Sequence, residues 1–598
     1  MDHRRFLIAL FICGLTACAS APKRPSGGIP QNDMRYLKER MTWEIESILK
    51  KNDIASISIA VVDSESTVWE DGFGFADQEN GIPATAHTVY RVGAISKLFT
   101  SIATMQLAES GQVDVDAPLA DYLPDFTIHP FPKDEHNTST QKTKEITLRS
   151  ILTHRSGIPA DHLERLFSDE PIDYRDYVRL LKDEFAVSSP DSFYQYSNLA
   201  MSLLGHMVEE VSNEDFATHV HKSILEPTGM SSSSFLLTDS IEAQLAKAYA
   251  YGSEQKQFRL SPMPAGALYS SAHDLARFIQ MCFRGGEGEH GRVLNKETLD
   301  EMWRSQAYRN ASHFDHQMGL GWHIEDRPGL GRIVGHSGSM MNFKSTILLL
   351  PRHKLGVVVL TNSREGAYPI QQISHKALSL LLETKTGVRV PSPDGRARLL
   401  NSFSPKEMRS FHGHVQTGMG VFYLEQEDDY LVGHSPGKTI ELRPTANKTF
   451  SMHYRIFDMF SFQPPSWAKS EYHFVQQGET TILVSRKFRQ DRLFGHQFRP
   501  ALIPKVWKDR LGDYELVNAQ KSSMTFQNFS LENFKGSLVL VYERLRGPGR
   551  MGLALDPLTE THAIVLGSSR GGGQTLRVEP YEDGEELIFG GLRLRKRQ

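Results

Sequence analysis

Lys97 is the first residue of this sequence whose type and surroundings point to chemistry. Residues three apart share one face of a helix, so Ala94 lies on the helix face that carries this amine. A hydroxyl there could exchange a proton with the amine, but alanine has none. Ser96 is two residues from Ala94 and therefore about 200° away around a helix. We interpret Ser96 as a structural hydroxyl that bonds to the helix backbone.

Two further motifs carry polar groups that could hold a carbonyl compound. The first places the phenol of Tyr196 two residues before the amide of Asn198, ahead of an apolar run with helical spacing over residues 199–211. The second stands just before a strand-like run over residues 343–350 and reads Gly335-His336-Ser337-Gly338-Ser339. Either motif alone could arise by chance. The segment that contains Ala94 and Lys97, residues 91–100, is the first of three motifs, which follow one another at spacings of about 100 and about 140 residues.

In this order the three motifs resemble those of the serine β-lactamase and penicillin-binding-protein-like superfamily, in the branch of class C β-lactamases, D-aminopeptidases and esterases. Two supporting phrases stand where that family has them: Leu152-Thr153-His154-Arg155-Ser156-Gly157 and Gly319-Leu320-Gly321-Trp322. The resemblance covers about residues 34–382. It implies an α+β fold in which a β-lactamase/transpeptidase-like antiparallel sheet is covered by helices.

The resemblance also implies a role for each motif residue. Ala94 stands where the family has its nucleophilic serine, and Lys97 and Tyr196 would activate that serine and carry its proton. Asn198 would bind the substrate together with the third motif, namely His336, Ser337, Gly338 and Ser339. The backbone N–H groups of Ala94 and Ser339 would form an oxyanion hole, which needs no serine side chain. We expect no cofactor and no metal ion.

Ala94 has no hydroxyl that a substrate could acylate. Three interpretations of function are therefore open. In an unrelated serine protease, loss of the serine lowers turnover about a million-fold. The first and favoured interpretation is a silenced relative that binds a peptidoglycan-type or related amide or ester ligand. The second is a D-alanyl peptidase, esterase or β-lactamase whose serine was replaced in the laboratory. The third is a slow non-covalent hydrolase whose water is activated by Lys97 and Tyr196.

The N-terminus is typical of an exported bacterial lipoprotein. A short basic start precedes an apolar run over residues 6–16, which is too short for a permanent membrane span. Residues 15–18 resemble a lipobox, which implies a signal peptide over 1–17 and lipidation of Cys18. Ala19 follows in place of an aspartate, a pattern that indicates the outer membrane. We expect a membrane-anchored protein that faces the periplasm or the surface, with a flexible tether over 18–33.

The composition restricts the partners and the disulfides of the mature protein. A formal net charge of −4 gives no electrostatic reason to expect a nucleic acid, so we expect a small-molecule or peptide ligand, such as one derived from peptidoglycan. Cys13 would leave with the leader and Cys18 would be acylated, so Cys282 is the remaining thiol. We therefore expect neither a disulfide nor a thiolate metal site.

The elements that must position the site follow from hydrophobic periodicity. The spacing predicts helices over 34–51 and 97–109, a hairpin from strands at 54–62 and 67–69, and adjacent antiparallel strands at 343–350 and 355–360. A polar insertion at 128–144 is predicted to be a surface loop. These elements belong to a predicted domain over residues 34–385.

The sequence pattern changes in the last third of the chain. A Pro-rich linker at 391–395 precedes short β-rich runs with frequent turns, which predict two all-β barrel-like modules over 400–500 and 506–598. A weak internal duplication supports the pair, because residues 411–414 resemble 511–514 and residues 442–444 resemble 555–557.

Overall fold

The computed structural model describes most of the 598 residues. The described ranges are 20–132, 145–192, 194–306, 317–390, 403–445, 448–456, 460–464, 467–468, 470–477, 480–487, 490–518, 526–544, 549–567, 571–582 and 584–597. The predicted signal peptide, the lipidation site Cys18, the linker at 391–395 and most of the insertion at 128–144 lie outside these ranges.

The first domain is built on an antiparallel sheet with seven strands in the described ranges. From edge to edge the strands are His323–Arg327, Gly331–Met340, Phe343–Leu350, Leu355–Thr361, Ser56–Asp63, Ser66–Asp77 and Ile82–Pro83. The strand Leu355–Thr361 pairs with Ser56–Asp63, so both ends of the domain meet in the middle of the sheet. The predicted hairpin and the predicted adjacent strands are confirmed.

Helices cover both faces of this sheet. Along the central strand Ser56–Asp63, Ile59 faces a core shared with the helices Arg35–Asn52 and Ala367–Thr386, and Ala60 faces a second core. This burial on both faces explains why the strand is apolar at successive positions. The other helices of at least seven residues in the described domain are Ser96–Glu109, Asn198–Ser212, Ala272–Phe283 and Lys296–Met302. The predicted α+β fold is confirmed.

Shorter elements complete the described part of the domain. The short helices are Leu148–Leu152, Tyr177–Leu181, Phe216–Val220, Glu226–Thr228, Asp239–Glu242 and Met263–Gly266, with a π-helical segment at His221–Leu225. The 3₁₀ turns are Gly93–Ile95, Leu119–Asp121, Tyr174–Asp176, Pro351–His353 and Arg364–Gly366. The short strand pairs are Val89–Arg91 with Tyr269–Ser271, Phe167–Ser168 with Arg259–Leu260, and Ala248–Ala250 with Ser253–Gln255.

Two closed antiparallel barrels follow, which confirms the predicted all-β modules. The first begins with the helix Pro405–Ser410 and has the strands Gly413–Thr417, Gly420–Glu427, Tyr430–Ser435, Lys438–Thr445, Thr449–Ile456, Phe460–Phe462, Ser470–Gln477, Thr480–Lys487 and Gln490–Phe498. Eight of these described strands form the ring, and pairing of Lys438–Thr445 with Thr449–Ile456 closes it. Phe460–Phe462 pairs outside the ring.

The second barrel repeats this plan. It begins with the helix Lys505–Asp509 and has the strands Gly512–Leu516, Phe526–Phe534, Ser537–Arg544, Arg550–Pro557, His562–Val565, Thr575–Tyr581, Gly584–Phe589 and Leu592–Lys596. The similar segments at 411–414 and 511–514 both join the short helix to the first strand. The similar segments at 442–444 and 555–557 both lie in the fourth strand. The predicted duplication therefore matches the architecture.

Residues 20–33, predicted to belong to a tether, contain no helix or strand and contact the first domain. Arg24 forms an ion pair with Glu383. Ile29 is buried in the core beneath Ala367–Thr386, and the backbone N–H of Asn32 donates to the Thr384 carbonyl at 2.8 Å. No helix in the described ranges is both long and apolar enough to cross a bilayer.

Candidate functional site

Ala94 lies in the 3₁₀ turn that leads into the helix Ser96–Glu109, and its side chain is partly exposed to a cavity. The preceding Gly93 has a φ of 55°, and a Cβ on it would lie 2.9 Å from the backbone nitrogen of Ser339. Gly338 is equally confined, since its Cβ would lie 2.0 Å from the Val92 carbonyl oxygen. Two glycines therefore allow the first and third motifs to touch through their backbones.

Lys97 is buried one helical turn after Ala94, and its amine is held by two oxygens. It donates to Oδ1 of Asn198 and to the carbonyl of Ala265, both at 2.7 Å. The other end of the Asn198 amide donates to Oδ1 of Asp161 at 2.6 Å. These contacts fix the orientation of the amide, and they leave one further N–H on it for a ligand.

The second motif is arranged by its middle residue. Ser197 is the N-cap of the helix Asn198–Ser212, because its hydroxyl accepts from the backbone N–H of Ala200 at 2.9 Å. The same hydroxyl donates to the carbonyl of Pro159 at 2.7 Å. This cap places Tyr196 just before the helix and Asn198 at its first position, so both side chains line the cavity.

His154 positions Tyr196 and gives a role to the first supporting phrase. Its ring lies 4.5 Å from the Tyr196 ring between centroids, and its Nδ1 accepts from the backbone N–H of Ser197 at 3.2 Å. The Lys97 amine lies 4.7 Å from the centroid of the same tyrosine ring. An imidazole and an amine therefore both lie close to the aromatic ring of Tyr196.

Ser96 behaves as the sequence predicts. Its hydroxyl donates to the Gly93 carbonyl and accepts from the backbone N–H of Leu268 at 3.0 Å. The side chain is wholly buried and does not line the cavity. It holds the turn around Ala94 together and is not placed to attack a ligand.

The third motif divides between two faces of its strand. Ser337 and Ser339 are exposed and line the cavity. His336, which was predicted to bind substrate, is buried with its ring 4.5 Å from that of His323 and is not among the lining residues of the cavity. Because successive side chains of a strand alternate, the residue before Ser337 cannot share its face. Burial and the charge of Lys97 lower the pKa of His336 to about 3.

Lys344, on the neighbouring strand, is a site residue that the motifs did not reveal. Its amine donates to Oγ of Ser339 at 2.9 Å and to the Met341 carbonyl at 2.7 Å. Burial, and then the charge of Arg364, lowers the pKa of Lys344 to about 8. Lys344 and Arg364 both line the cavity. In the sequence, only the position of Lys344 on the strand next to the third motif could have indicated that it belongs to the site.

The cavity has a volume of about 890 Å³ and joins all three domains. Its charged lining residues are Lys97, Asp161, Lys344 and Arg364, which sum to a formal charge of +2 from three cations and one carboxylate. The motif residues that line it are Ala94, Lys97, Tyr196, Asn198, Ser337, Gly338 and Ser339. Part of the wall comes from the barrels, which the sequence did not connect to the site.

A group of potential metal ligands lies elsewhere on the first domain. One ligand atom from each of Glu70, His87 and His273 lies within 4.8 Å of the others. However, Nδ1 of His273 lies 3.0 Å from the Glu70 carboxylate, and its Nε2 accepts from Arg277 at 3.2 Å. Both ring nitrogens are thus engaged in a hydrogen-bonded network.

Known proteins resemble part of the chain in sequence. The chain is 28% identical over 358 residues to "Putative beta-lactamase-like 1" of Homo sapiens, a match that spans 57% of this chain and 68% of that protein. It is 26% identical over 348 residues to "Protein flp" of Staphylococcus aureus strain N315, spanning 56% and 66%. The matches thus cover about two thirds of each relative.

Solved structures resemble the chain over more of its length. The octameric penicillin-binding protein homologue from Pyrococcus abyssi has a TM-score of 0.52 and 24% identity, and the match covers 77% of this chain and 99% of that one. SurE with D-Leu gives a TM-score of 0.52 at 20% identity with the same coverage. At these identities the likeness shows the fold. A family model described as Beta-lactamase matches residues 35–378, and the chain therefore belongs to the β-lactamase family, with a penicillin-binding-protein-like fold.

Proposed function

We propose that this protein binds an amide or ester ligand, of peptidoglycan type or related to it, in the Ala94 cavity without forming an acyl-enzyme. The observation that carries this proposal is the chain of contacts from Lys97 through Asn198 to Asp161, which keeps the ligand-facing groups in place. Ala94 lines the same cavity and has no atom that could be acylated.

The charges of the lining support a ligand that carries a carboxylate. Lys344 and Arg364 lie on the wall beside Ser339, and Asp161 is the only carboxylate among the described lining residues. Opposite charge steers a ligand and fixes its register more than it adds affinity. A D-alanyl peptide, with an amide and a terminal carboxylate, meets these requirements.

A second candidate function is slow hydrolysis without a covalent intermediate. It is favoured by one observation, namely that Lys97 and Tyr196 both line the cavity and lie next to each other. In its deprotonated form, either group could take a proton from a water molecule that attacks the ligand carbonyl. This reaction would not modify the protein.

We also propose that lipidation of Cys18 anchors the protein to the outer membrane, facing the periplasm or the surface. The lipobox-like sequence at residues 15–18 supports this anchor. Metabolic labelling with a radioactive fatty acid should mark the protein. A Cys18→Ser variant should lose both the label and membrane association.

Calorimetry with a D-alanyl dipeptide tests the main proposal. The unmodified protein should bind the dipeptide, and Asn198→Ala should weaken binding at least tenfold. Intact mass after incubation with a penicillin should show no adduct. A covalent adduct, or dipeptide binding that is indifferent to Asn198, would contradict the proposal, and release of free D-alanine would favour the second candidate.

A further inference from the structure

The second barrel opens onto the cavity through one of its ends. Four apolar cavity residues stand at strand ends that meet there: Phe526 at the start of the second strand, Tyr542 near the end of the third, Met551 near the start of the fourth and Phe589 at the end of the seventh. Because successive strands of this barrel run antiparallel, these positions share one rim. We call this rim, together with Leu553, the barrel mouth.

Hydrogen bonds dock the barrel mouth on the loops that carry the motif residues. The side chain of Gln195, next to Tyr196, donates to the carbonyl of Gly572 at 3.1 Å. The backbone N–H of Leu163 donates to the carbonyl of Gly590 at 2.7 Å, and the Leu163 side chain packs on the barrel core. The mouth is therefore fixed beside the site by loops at its own end.

The first domain adds apolar side chains to the lining of the cavity. Leu163, Leu166, Phe167 and Leu260 line it, and Leu163 also packs on the core of the second barrel. No described lining residue of the barrel mouth carries a charge. All the charged lining groups come from the first domain, so the cavity has a polar part and an apolar part.

We propose that the barrel mouth holds an unbranched acyl chain attached through an amide or ester to the head group that the motif residues bind. This inference rests on the proposed function and names its ligand class as N-acylated amino acids or peptides. An acyl chain is apolar along its whole length and narrow enough to follow a wall shared by two domains. A compact peptide side chain would occupy only one end of a cavity of about 890 Å³.

The depth available to the chain is limited. Beyond the mouth, Leu538 and Leu540 are fully buried in the packed interior of the barrel. The chain should therefore end near the mouth, and a ligand longer than the available depth should gain nothing more.

Calorimetry with N-acyl-D-alanines of increasing chain length, from acetyl to hexadecanoyl, tests this inference. Each added methylene should tighten binding by about fourfold until the mouth is full, after which the affinity should level off. Equal affinity for acetyl and dodecanoyl ligands would overturn the inference. If acetyl-D-alanine still binds and its binding depends on Asn198, the proposed function is supported without the acyl-chain site.

Two variants test whether the acyl chain binds at the barrel mouth. Met551→Trp should shorten the chain length at which affinity levels off and leave acetyl-D-alanine binding unchanged. Phe589→Ala should extend that length. If one of the two variants does not fold, the other still tests the acyl-chain inference. Glu560→Trp, exposed at the opposite end of the barrel, is the matched control.

Three outcomes separate the two proposals. A chain-length series unchanged in folded Met551→Trp and Phe589→Ala would overturn the acyl-chain inference. A series that shifts in these variants but ignores Asn198→Ala would support a chain site and contradict the proposed head-group site. Absence of binding by every ligand of the series would contradict both.

Discussion

The amine of Lys97 donates a 2.7 Å hydrogen bond to Oδ1 of Asn198, although the two residues are 101 positions apart in the chain. The helices Ser96–Glu109 and Asn198–Ser212 pack against each other and bring these side chains together. A buried amine is costly unless it is hydrogen-bonded, so the contact stabilises the site whether or not a nucleophile is present. The site can thus keep its geometry with an alanine at position 94.

Asn198→Ala should destabilise the protein as well as weaken ligand binding. It removes an acceptor from the buried Lys97 amine and a donor from Asp161, and such a loss costs about 1–3 kcal/mol. Urea unfolding followed by circular dichroism measures the change. Asp161→Asn keeps an acceptor for the Asn198 amide and should cost less. Equal losses for both variants would contradict the greater cost expected for Asn198→Ala.

Ala94→Ser should give the protein covalent reactivity. The new hydroxyl would stand one helical turn before Lys97, and in an unrelated serine protease the serine nucleophile raises turnover about a million-fold. Intact mass after exposure to a penicillin or an activated ester should show an acyl adduct. The same variant with Ser96→Ala should still acylate, because Ser96 is buried away from the cavity. An inert Ala94→Ser protein would mean that Lys97 and Tyr196 are not poised for chemistry.

Gly93→Ala should cost more stability than the same change at Gly111. Both glycines have positive φ, 55° and 72°, a conformation that costs other residues about 1–2 kcal/mol. A Cβ at Gly93 would in addition lie 2.9 Å from the Ser339 nitrogen, whereas nothing lies within 4 Å of one at Gly111. Thermal unfolding of the two variants compares them. Equal destabilisation would argue against close contact between the first and third motifs.

Binding of anionic ligands should weaken as the pH rises through about 8. Burial lowers the pKa of Lys344 to about 8, so its amine loses its charge in this range. Calorimetry with acetyl-D-alanine from pH 6.5 to pH 9.5 should show the decline, and Lys344→Met should flatten it. Because the unfolded chain holds this proton more tightly, stability should rise with pH between about 8 and 10.5. A falling stability in that window would contradict the depressed pKa.

The contact between the first domain and the second barrel should depend on pH through Glu184. Burial raises the pKa of this carboxyl to about 7, and Arg577 of the barrel, 3.5 Å away, opposes the rise. The folded state therefore binds the proton more tightly, and stability should fall as the pH rises from about 4.5 to about 7. Arg577→Gln should raise the pKa of Glu184 further and so extend this fall in stability to higher pH.

Thermal unfolding across that pH range measures the effect of Arg577→Gln. Arg593→Gln is the control, because its guanidinium pairs with Glu586 in the same barrel. If both variants showed the same pH profile, the Glu184 contact would not control docking of the barrel.

The sequence by itself determined the local elements and the identity of the motif residues. Periodicity predicted the strand Phe343–Leu350 and the helix Ser96–Glu109 because burial against one core leaves a regular apolar pattern. The spacing between Ala94 and Ser96 was enough to predict that Ser96 would not face the cavity. Even the similarity between the two barrels was visible in their first and fourth strands.

Only the tertiary structure decided which side chains share the cavity. The face that His336 occupies depends on the register of its strand, and a shift of one residue would exchange the faces. Lys344 and Asp161 carry no motif and reach the site through strand pairing and a loop. The barrel mouth lies several hundred residues from Ala94, so its place beside the site depends on domain docking, which local sequence patterns do not encode.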